Sequence, residues 1–170
     1  YDLEGKSIAN SFQVELSYNL AEHFNLRTAY KYYDVKTNFE NGFMQKPLTP
    51  SHRIFANVSV ETSNKNGAFW KFDTTYNWLG KQRYPATLSN PEPYRRDEFS
   101  PSIGTLNAQV TRVVGPAFEI YLGAENITDE RQDNPIIDAE NPFGSNFDTT
   151  FVYGPIFGSN YYMGLRYTLN

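Results

Sequence analysis

The sequence predicts an all-β fold, a transmembrane antiparallel up-and-down β-barrel, and three observations predict it. Apolar and polar residues alternate with a period of two along most of the 170 residues, whereas a helical period does not recur. The alternating segments are about 10–12 residues long, which fits a tilted membrane-spanning strand better than the strands of roughly 5–6 residues in soluble domains. Short and long connections follow one another in turn, as in outer-membrane barrels with periplasmic turns and extracellular loops.

Seven strands are predicted, at residues 8–18, 26–36, 53–62, 68–78, 103–113, 117–127 and 158–169. Bacterial single-chain barrels have even strand counts, and an open barrel would leave two strand edges that lipid cannot hydrogen-bond. We therefore expect residues 1–170 to be the C-terminal part of a larger barrel, unless an eighth strand lies in residues 1–7.

The alternation separates an apolar face of the strands from a polar face. Nearly all strand charges fall on the polar face, and the exceptions, Asp34 and Arg112, lie at strand ends. There a charge facing lipid costs about 0–1 kcal/mol, against about 2–4 kcal/mol at the midplane. Aromatic residues cluster near strand ends on the apolar face and predict two girdles at the headgroup level: Tyr18, Tyr30, Tyr32, Trp70, Tyr76, Trp78 and Tyr167.

Composition argues against several function classes. The net charge of −4 lacks the basic footprint of a nucleic-acid-binding protein. With no cysteine, disulfides, zinc–thiolate sites and thiol catalysis are excluded. His23 is expected in a turn and His52 at the opposite end of a strand, so the two cannot form a metal pair, and a Ser–His–Asp triad is not expected. We expect no enzyme activity, no cofactor and no metal.

Three other interpretations stay open at this point. A small eight-stranded outer-membrane barrel with a structural or adhesive role would require a parent chain little longer than this one. An outer-membrane barrel enzyme would require a nucleophile near a rim histidine, and His52 has no evident partner. A soluble carbohydrate-binding sandwich explains the alternation but not the Trp and Tyr residues at strand ends.

The end of the chain resembles the β-signal that the barrel-assembly machinery reads in the last strand of outer-membrane barrels. Such a strand has an apolar residue at each lipid-facing position and a ring near the periplasmic interface. The family usually ends on an aromatic residue, where this chain has leucine. The residues that carry the resemblance, and that we expect to form the assembly signal, are Gly164, Leu165, Tyr167 and Leu169.

Four further segments are similar to TonB-dependent outer-membrane receptors, and they occur along most of the chain. Residues 123–129 resemble the Gly-x-x-Asn-hydrophobic-x-Asp segment of the penultimate strand, and residues 48–53 resemble a Pro-x-His stretch that enters a strand from an extracellular loop. Residues 30–34 resemble the Tyr-x-Tyr…Asp end of an upward strand, and residues 147–158 the last loop of receptors common in Bacteroidetes-type bacteria. The resemblance implies a barrel of 22 strands, of which these would be the last seven.

The resemblance also implies a function. Such receptors sit in the Gram-negative outer membrane and import scarce nutrients, such as ferric siderophores, haem, cobalamin or oligosaccharides, in a TonB-coupled manner. It implies contact with outer-membrane lipid and lipopolysaccharide, the rest of the barrel, a plug inside it, TonB, and a small-molecule or chelate ligand. The plug domain and the TonB-contact segment are expected outside this chain.

Two groups of residues are candidates for contact. The loop at residues 79–102 interleaves rings and cations that could grip an anionic or aromatic ligand: Lys81, Arg83, Tyr84, Tyr94, Arg95 and Arg96. Charged residues of the polar face would meet the plug: Glu15, Arg27, Lys31, Arg53, Glu61, Lys71, Asp73, Glu119, Glu125 and Arg166. The loop at residues 128–157 is acidic and could hold calcium, although it lacks an EF-hand pattern.

Overall fold

The computed structural model describes residues 5–39 and 42–169, and it contains one antiparallel sheet. Its strands are β1 (Ser7–Ala21), β2 (Phe24–Phe39), β3 (Gly42–Gln45), β4 (His52–Glu61), β5 (Ala68–Leu79), β6 (Ile103–Val114), β7 (Phe118–Glu125) and β8 (Asn160–Tyr167). They are hydrogen-bonded in the order β1-β2-β4-β5-β6-β7-β8, and β3 pairs with the end of β2. The prediction of an all-β, antiparallel, up-and-down fold is confirmed.

The seven predicted strands are all present, with differences at their ends. The turn between β1 and β2 contains only Glu22 and His23, so both strands run further than predicted. β7 stops at Glu125, because Asn126 has a positive φ of 50° and leaves the extended conformation. A predicted eighth strand in residues 1–7 falls largely outside the described residues, and Ser7 already belongs to β1.

One short strand was not predicted. β3 folds back on the end of β2, with Phe39 opposite Gly42 and Lys36 opposite Gln45. Four residues are too few to show an alternation, so the sequence predicts a loop there. The hairpin extends the sheet beyond its membrane-length portion and gives the neighbouring loop a fixed edge.

The register places the predicted faces on opposite sides of the sheet. Direct cross-strand partners share a face, and one row joins Val14, Tyr30, Ile54 and Trp78, while the next row along the strands joins Glu15, Ala29, Phe55 and Asn77. Apolar and polar rows alternate in this way along the sheet. We call these sides the apolar face and the polar face.

The apolar face is not covered by protein within the described part of the chain. Phe72 is 45% exposed, Leu122 56% and Leu165 67%, although all three lie in the regular part of the sheet. A soluble sheet would bury such a row against a second layer. None of the described residues forms a helix that is long and apolar enough to cross a membrane.

The two ends of the sheet differ. The turn end carries the tight turns at residues 22–23, 62–67 and 115–117, and the loop end carries the segments at residues 46–51, 80–102 and 126–159. The hydrophobic cluster of buried side chains lies among these loop-end segments and contains Tyr84, Ile137 and Phe151. We call these three loop-end segments, packed together, the loop platform.

Candidate functional site: the loop platform and the polar face

The centre of the loop platform is an aromatic cluster. The ring of Tyr84 lies 5.3 Å from that of Phe151 and 5.8 Å from that of Tyr153, centroid to centroid, and Ile137 is almost fully buried beside them. Burial raises the pKa of Tyr84 to about 12 and also raises the pKa of Tyr153. Both phenols are therefore neutral at ordinary pH and act as part of a packed core.

Two buried glutamines tie the backbone of the platform together. Gln132 donates from Nε2 to the Phe151 carbonyl at 2.7 Å and accepts from the Tyr153 N–H at 2.8 Å, so it joins the two halves of the last loop. Gln82 donates from Nε2 to the Tyr153 carbonyl at 3.3 Å and links the preceding loop to the last one. These bonds satisfy backbone groups that no strand partner reaches.

Arg83 fastens the platform to β3. Its Nη1 donates to the Gln45 carbonyl at 3.1 Å, and its Nη2 lies 3.4 Å from the Met44 sulfur. The Arg83 carbonyl accepts from the Leu48 N–H at 2.8 Å, and Glu98 lies 3.9 Å from Nε. The guanidinium is buried, so Arg83 holds loops together, whereas the sequence pattern predicted an accessible cation for ligand contact.

The six ligand-loop candidates are thus divided. Arg83 and Tyr84 are buried in the platform, and Tyr94 packs partly against its core. Lys81 and Arg95 are exposed, and Arg96 is half-exposed and donates to the Asn134 carbonyl at 3.1 Å across the loops. Contact with a ligand stays a prediction, and it now concerns the accessible cations.

The segment at residues 123–129 closes the base of the last loop. Asn126 is buried, donates from Nδ2 to the Glu130 carbonyl at 2.8 Å, and accepts at its own carbonyl from the Ser159 hydroxyl at 2.7 Å. Asp129 accepts from Arg131 at 2.9 Å and from the Ser159 N–H at 2.9 Å, and these hydrogen bonds lower the pKa of Asp129. The motif therefore joins the end of β7 to the start of β8.

A glycine in each of the last two strands leaves room for a tyrosine ring of the neighbouring strand. Tyr121 lies over Gly164, its cross-strand partner, and Tyr162 lies over Gly123 in the same way. A Cβ at either glycine would collide with the ring. The two rings meet edge-on at 6.3 Å, and Tyr162 donates to Gln109 at 3.0 Å. This reciprocal packing pins the register of β8, whose Leu165 and Tyr167 lie exposed on the apolar face.

The polar face carries paired charges. Arg27 lies 2.7 Å from Glu15, and Glu119 accepts from Arg166 at 3.0 Å and lies 3.5 Å from Lys71. Glu119 thus links β5, β7 and β8 across the face. The other candidates for plug contact share this face, with Lys31 over the Tyr33 ring at 4.4 Å and Asp73 near the Ser59 hydroxyl at 3.5 Å, and they include Arg53, Glu61 and Glu125.

The two histidines lie at opposite ends of the sheet, as predicted. His23 is in the β1–β2 turn, whereas His52 opens β4 at the loop end, where its Nδ1 is 2.8 Å from the Tyr30 hydroxyl and its ring is 5.2 Å from that of Tyr32. In the part of the chain that the structure describes, no group of three or more His, Asp or Glu side chains could hold a metal ion, the acidic last loop included.

Comparisons with known proteins identify the fold. No protein-family model matches the sequence, and no curated protein matches it. Among solved structures, the ferric-catecholate import receptor Fiu from E. coli K12 is similar with a TM-score of 0.66 and 11% identity over 95% of this chain. The siderophore receptor PiuA from Acinetobacter baumannii is similar with a TM-score of 0.58 and 13% identity, again over 95% of this chain.

This chain spans about a fifth of the length of each receptor, 21% and 22%. At this level of identity the likeness concerns the fold. The sheet therefore has the fold of part of a siderophore-receptor barrel, as the resemblance to TonB-dependent receptors predicted.

Proposed function

We propose that this chain forms part of the barrel of an outer-membrane receptor that takes up a scarce nutrient by TonB-coupled active transport. The ligand would be a ferric siderophore, haem, cobalamin or a similar compound. The solved receptors with this fold are described as import and siderophore receptors. The proposal extends that role to a protein of which this chain is one portion.

The exposed apolar face carries the proposal. Large side chains such as Trp70, Phe72 and Leu122 alternate with polar ones and find no protein cover among the described residues. In lipid this exposure is favourable, because hydrocarbon replaces the missing protein layer. The backbone is satisfied by the strand ladder once the rest of the barrel pairs with the two edge strands, β1 and β8. The polar face then lines a water-filled or plug-filled interior.

The loop platform supports a role in ligand capture. Its buried core and glutamine bonds hold the loops in one arrangement, which lowers the ordering cost of binding. Lys81, Arg95 and Arg96 are accessible on it, and cations of this kind pair with the carboxylates or phenolates of an anionic chelate. We propose these three side chains as ligand contacts.

The charged polar face supports contact with a plug. Its ion pairs, Glu15 with Arg27 and Glu119 with Lys71 and Arg166, are partly open to the interior side. Partly solvated pairs of this kind contribute little net stability, so their charges can exchange partners with a plug surface at low cost. A plug that must move during transport requires such exchangeable contacts.

Membrane fractionation of the full-length protein tests the proposal. The protein is expected in the outer-membrane fraction and to require detergent for extraction, and iron-limited cells that lack it are expected to lose uptake of at least one ferric chelate. Partition into the aqueous phase without detergent would overturn the membrane placement. Membrane residence with unchanged uptake of every nutrient class tested, in a full-length protein little longer than this chain, would favour a small structural barrel instead.

A further inference from the structure

One cation on the apolar face has no acidic partner among the described residues. Three charged strand residues of the described chain share that face: Asp34 and Lys36, which pair at 3.1 Å near the loop end, and Arg112 near the turn end. Lys36 was not recognised from the sequence as lying on this face. None of the ion pairs of the described residues includes Arg112.

Arg112 is held by an aromatic ring instead. Its guanidinium carbon lies 5.0 Å from the centre of the Trp70 ring, its cross-strand partner, and the other neighbour in the row is Ile120. Arg112 is two residues from the end of β6, about 7 Å along the strand. A long side chain at this depth reaches the membrane interface with its charged end.

A second cation stands at the same end. The turns at residues 62–67 and 115–117 are hydrogen-bonded side by side, because the Gly115 N–H donates to the Gly67 carbonyl at 2.9 Å. A Cβ at Gly67 would lie 3.3 Å from the Gly115 Cα, so the contact is close. The second cation is Lys65, an exposed residue of the turn at residues 62–67. No Asp or Glu occurs in residues 62–70 or in residues 110–118.

We propose that Arg112 and Lys65, with Trp70, bind the headgroup phosphate of an anionic glycerophospholipid such as phosphatidylglycerol. The inference rests on the proposed membrane position of the sheet. There the turn end meets the periplasmic leaflet, and among the described residues the charge on the apolar face at this end is positive, because the carboxylates that flank the two turns, Glu61 and Glu119, lie on the polar face. A guanidinium fork matches phosphate oxygens bidentately, and a tryptophan ring beside it suits the interface.

Native mass spectrometry of the full-length protein in detergent tests the site. Phosphatidylglycerol and phosphatidylcholine with the same acyl chains are titrated against the wild type, Arg112→Gln, Lys65→Gln and Arg112→Lys. Each lost cation is expected to weaken phosphatidylglycerol binding about five-fold, with little change for phosphatidylcholine. Arg112→Lys is expected to lose less binding than Arg112→Gln but to stay weaker than the wild type, because it keeps the charge and loses the bidentate fork.

Arg27→Gln is the matched control, since it removes an arginine from the polar face, and it is expected to bind phosphatidylglycerol like the wild type. Equal binding by Arg112→Gln and wild type would overturn the inference, and so would an equal loss in Arg27→Gln. If the wild type stays in solution without detergent, the membrane placement itself is wrong. If it requires detergent and only the lipid result fails, the proposed function stands without this site.

Discussion

The loop platform has a buried hydrophobic core, whereas the strand sheet leaves its apolar face exposed. Tyr84, Ile137 and Phe151 pack against one another as in a soluble domain, while Phe72, Leu122 and Leu165 lie open on the apolar face. The platform is therefore stabilised by burial from water. The sheet is held by its hydrogen-bonded ladder and, in the proposed membrane, by the surrounding hydrocarbon. Under the proposed membrane placement, apolar side chains stabilise the two regions differently, because water surrounds the loops and hydrocarbon surrounds the sheet.

Emptying the platform core is expected to have the largest effect. Phe151→Ala removes a ring that is almost fully buried, which costs about 3–5 kcal/mol at comparable sites. Hydrogen–deuterium exchange of the full-length protein is expected to show faster exchange in residues 80–102 and 126–159 and unchanged protection in β5 and β6. Phe143→Ala, at a fully exposed ring of the same loop, is the control, and an equal change there would contradict the comparison.

A charge on the apolar face is expected to have the next largest effect. Val58→Arg places a charge on the apolar face in the middle of β4. In the proposed membrane, an arginine at this depth costs about 2–4 kcal/mol. Ser59→Arg changes the adjacent residue, whose side chain faces the polar side near Asp73. Denaturant unfolding of the reconstituted protein is expected to show a clear loss for the first variant and little for the second. Equal effects would show that the faces are assigned wrongly.

Removing a buried amide is expected to have an intermediate effect confined to the platform. Gln132→Ala leaves the Phe151 carbonyl and the Tyr153 N–H without their hydrogen-bond partner. A buried polar group that loses its partner costs about 1–3 kcal/mol of stability. Limited proteolysis is expected to cut the last loop sooner than in wild type. Asp133→Ala changes the exposed neighbour and is expected to leave the cleavage rate unchanged; a similar acceleration would assign the effect to general loop mobility.

The smallest effect at ordinary pH is expected from the Tyr84 phenol. Its pKa is raised from 10.0 to about 12 by burial, so the folded platform prefers the protonated form. The stability that this preference contributes is fully present below pH 10 and is lost as the pH rises through about 12. Hydrogen exchange of the loops between pH 9 and 12 is expected to accelerate beyond its intrinsic rise in wild type and less so in Tyr84→Phe. Identical profiles would exclude ionisation of Tyr84 as the cause.

Much of the fold was predictable because its signal is local. A strand shows its two faces in consecutive residues, so the alternation alone located seven strands and assigned Trp70 or Glu119 to a side. The pattern of short turns and long loops distinguished the two ends. The hairpin that pairs Phe39 with Gly42 was not predicted, because a strand of four residues is too short to show a period.

The strands, the two faces and the separation of the turn end from the loop end were thus predictable from the order of the residues. Which loop residues face solvent depends on tertiary contacts, because the residues that bury Arg83 and Tyr84 lie in distant segments and include Met44 and Phe151. The same holds for the ring of Tyr121 over Gly164 and for the absence of an acidic partner for Arg112 among the described residues. Periodicity indicates which face of a strand a side chain is on, whereas the burial and the ion pairs of that side chain depend on which other segment of the chain packs beside it.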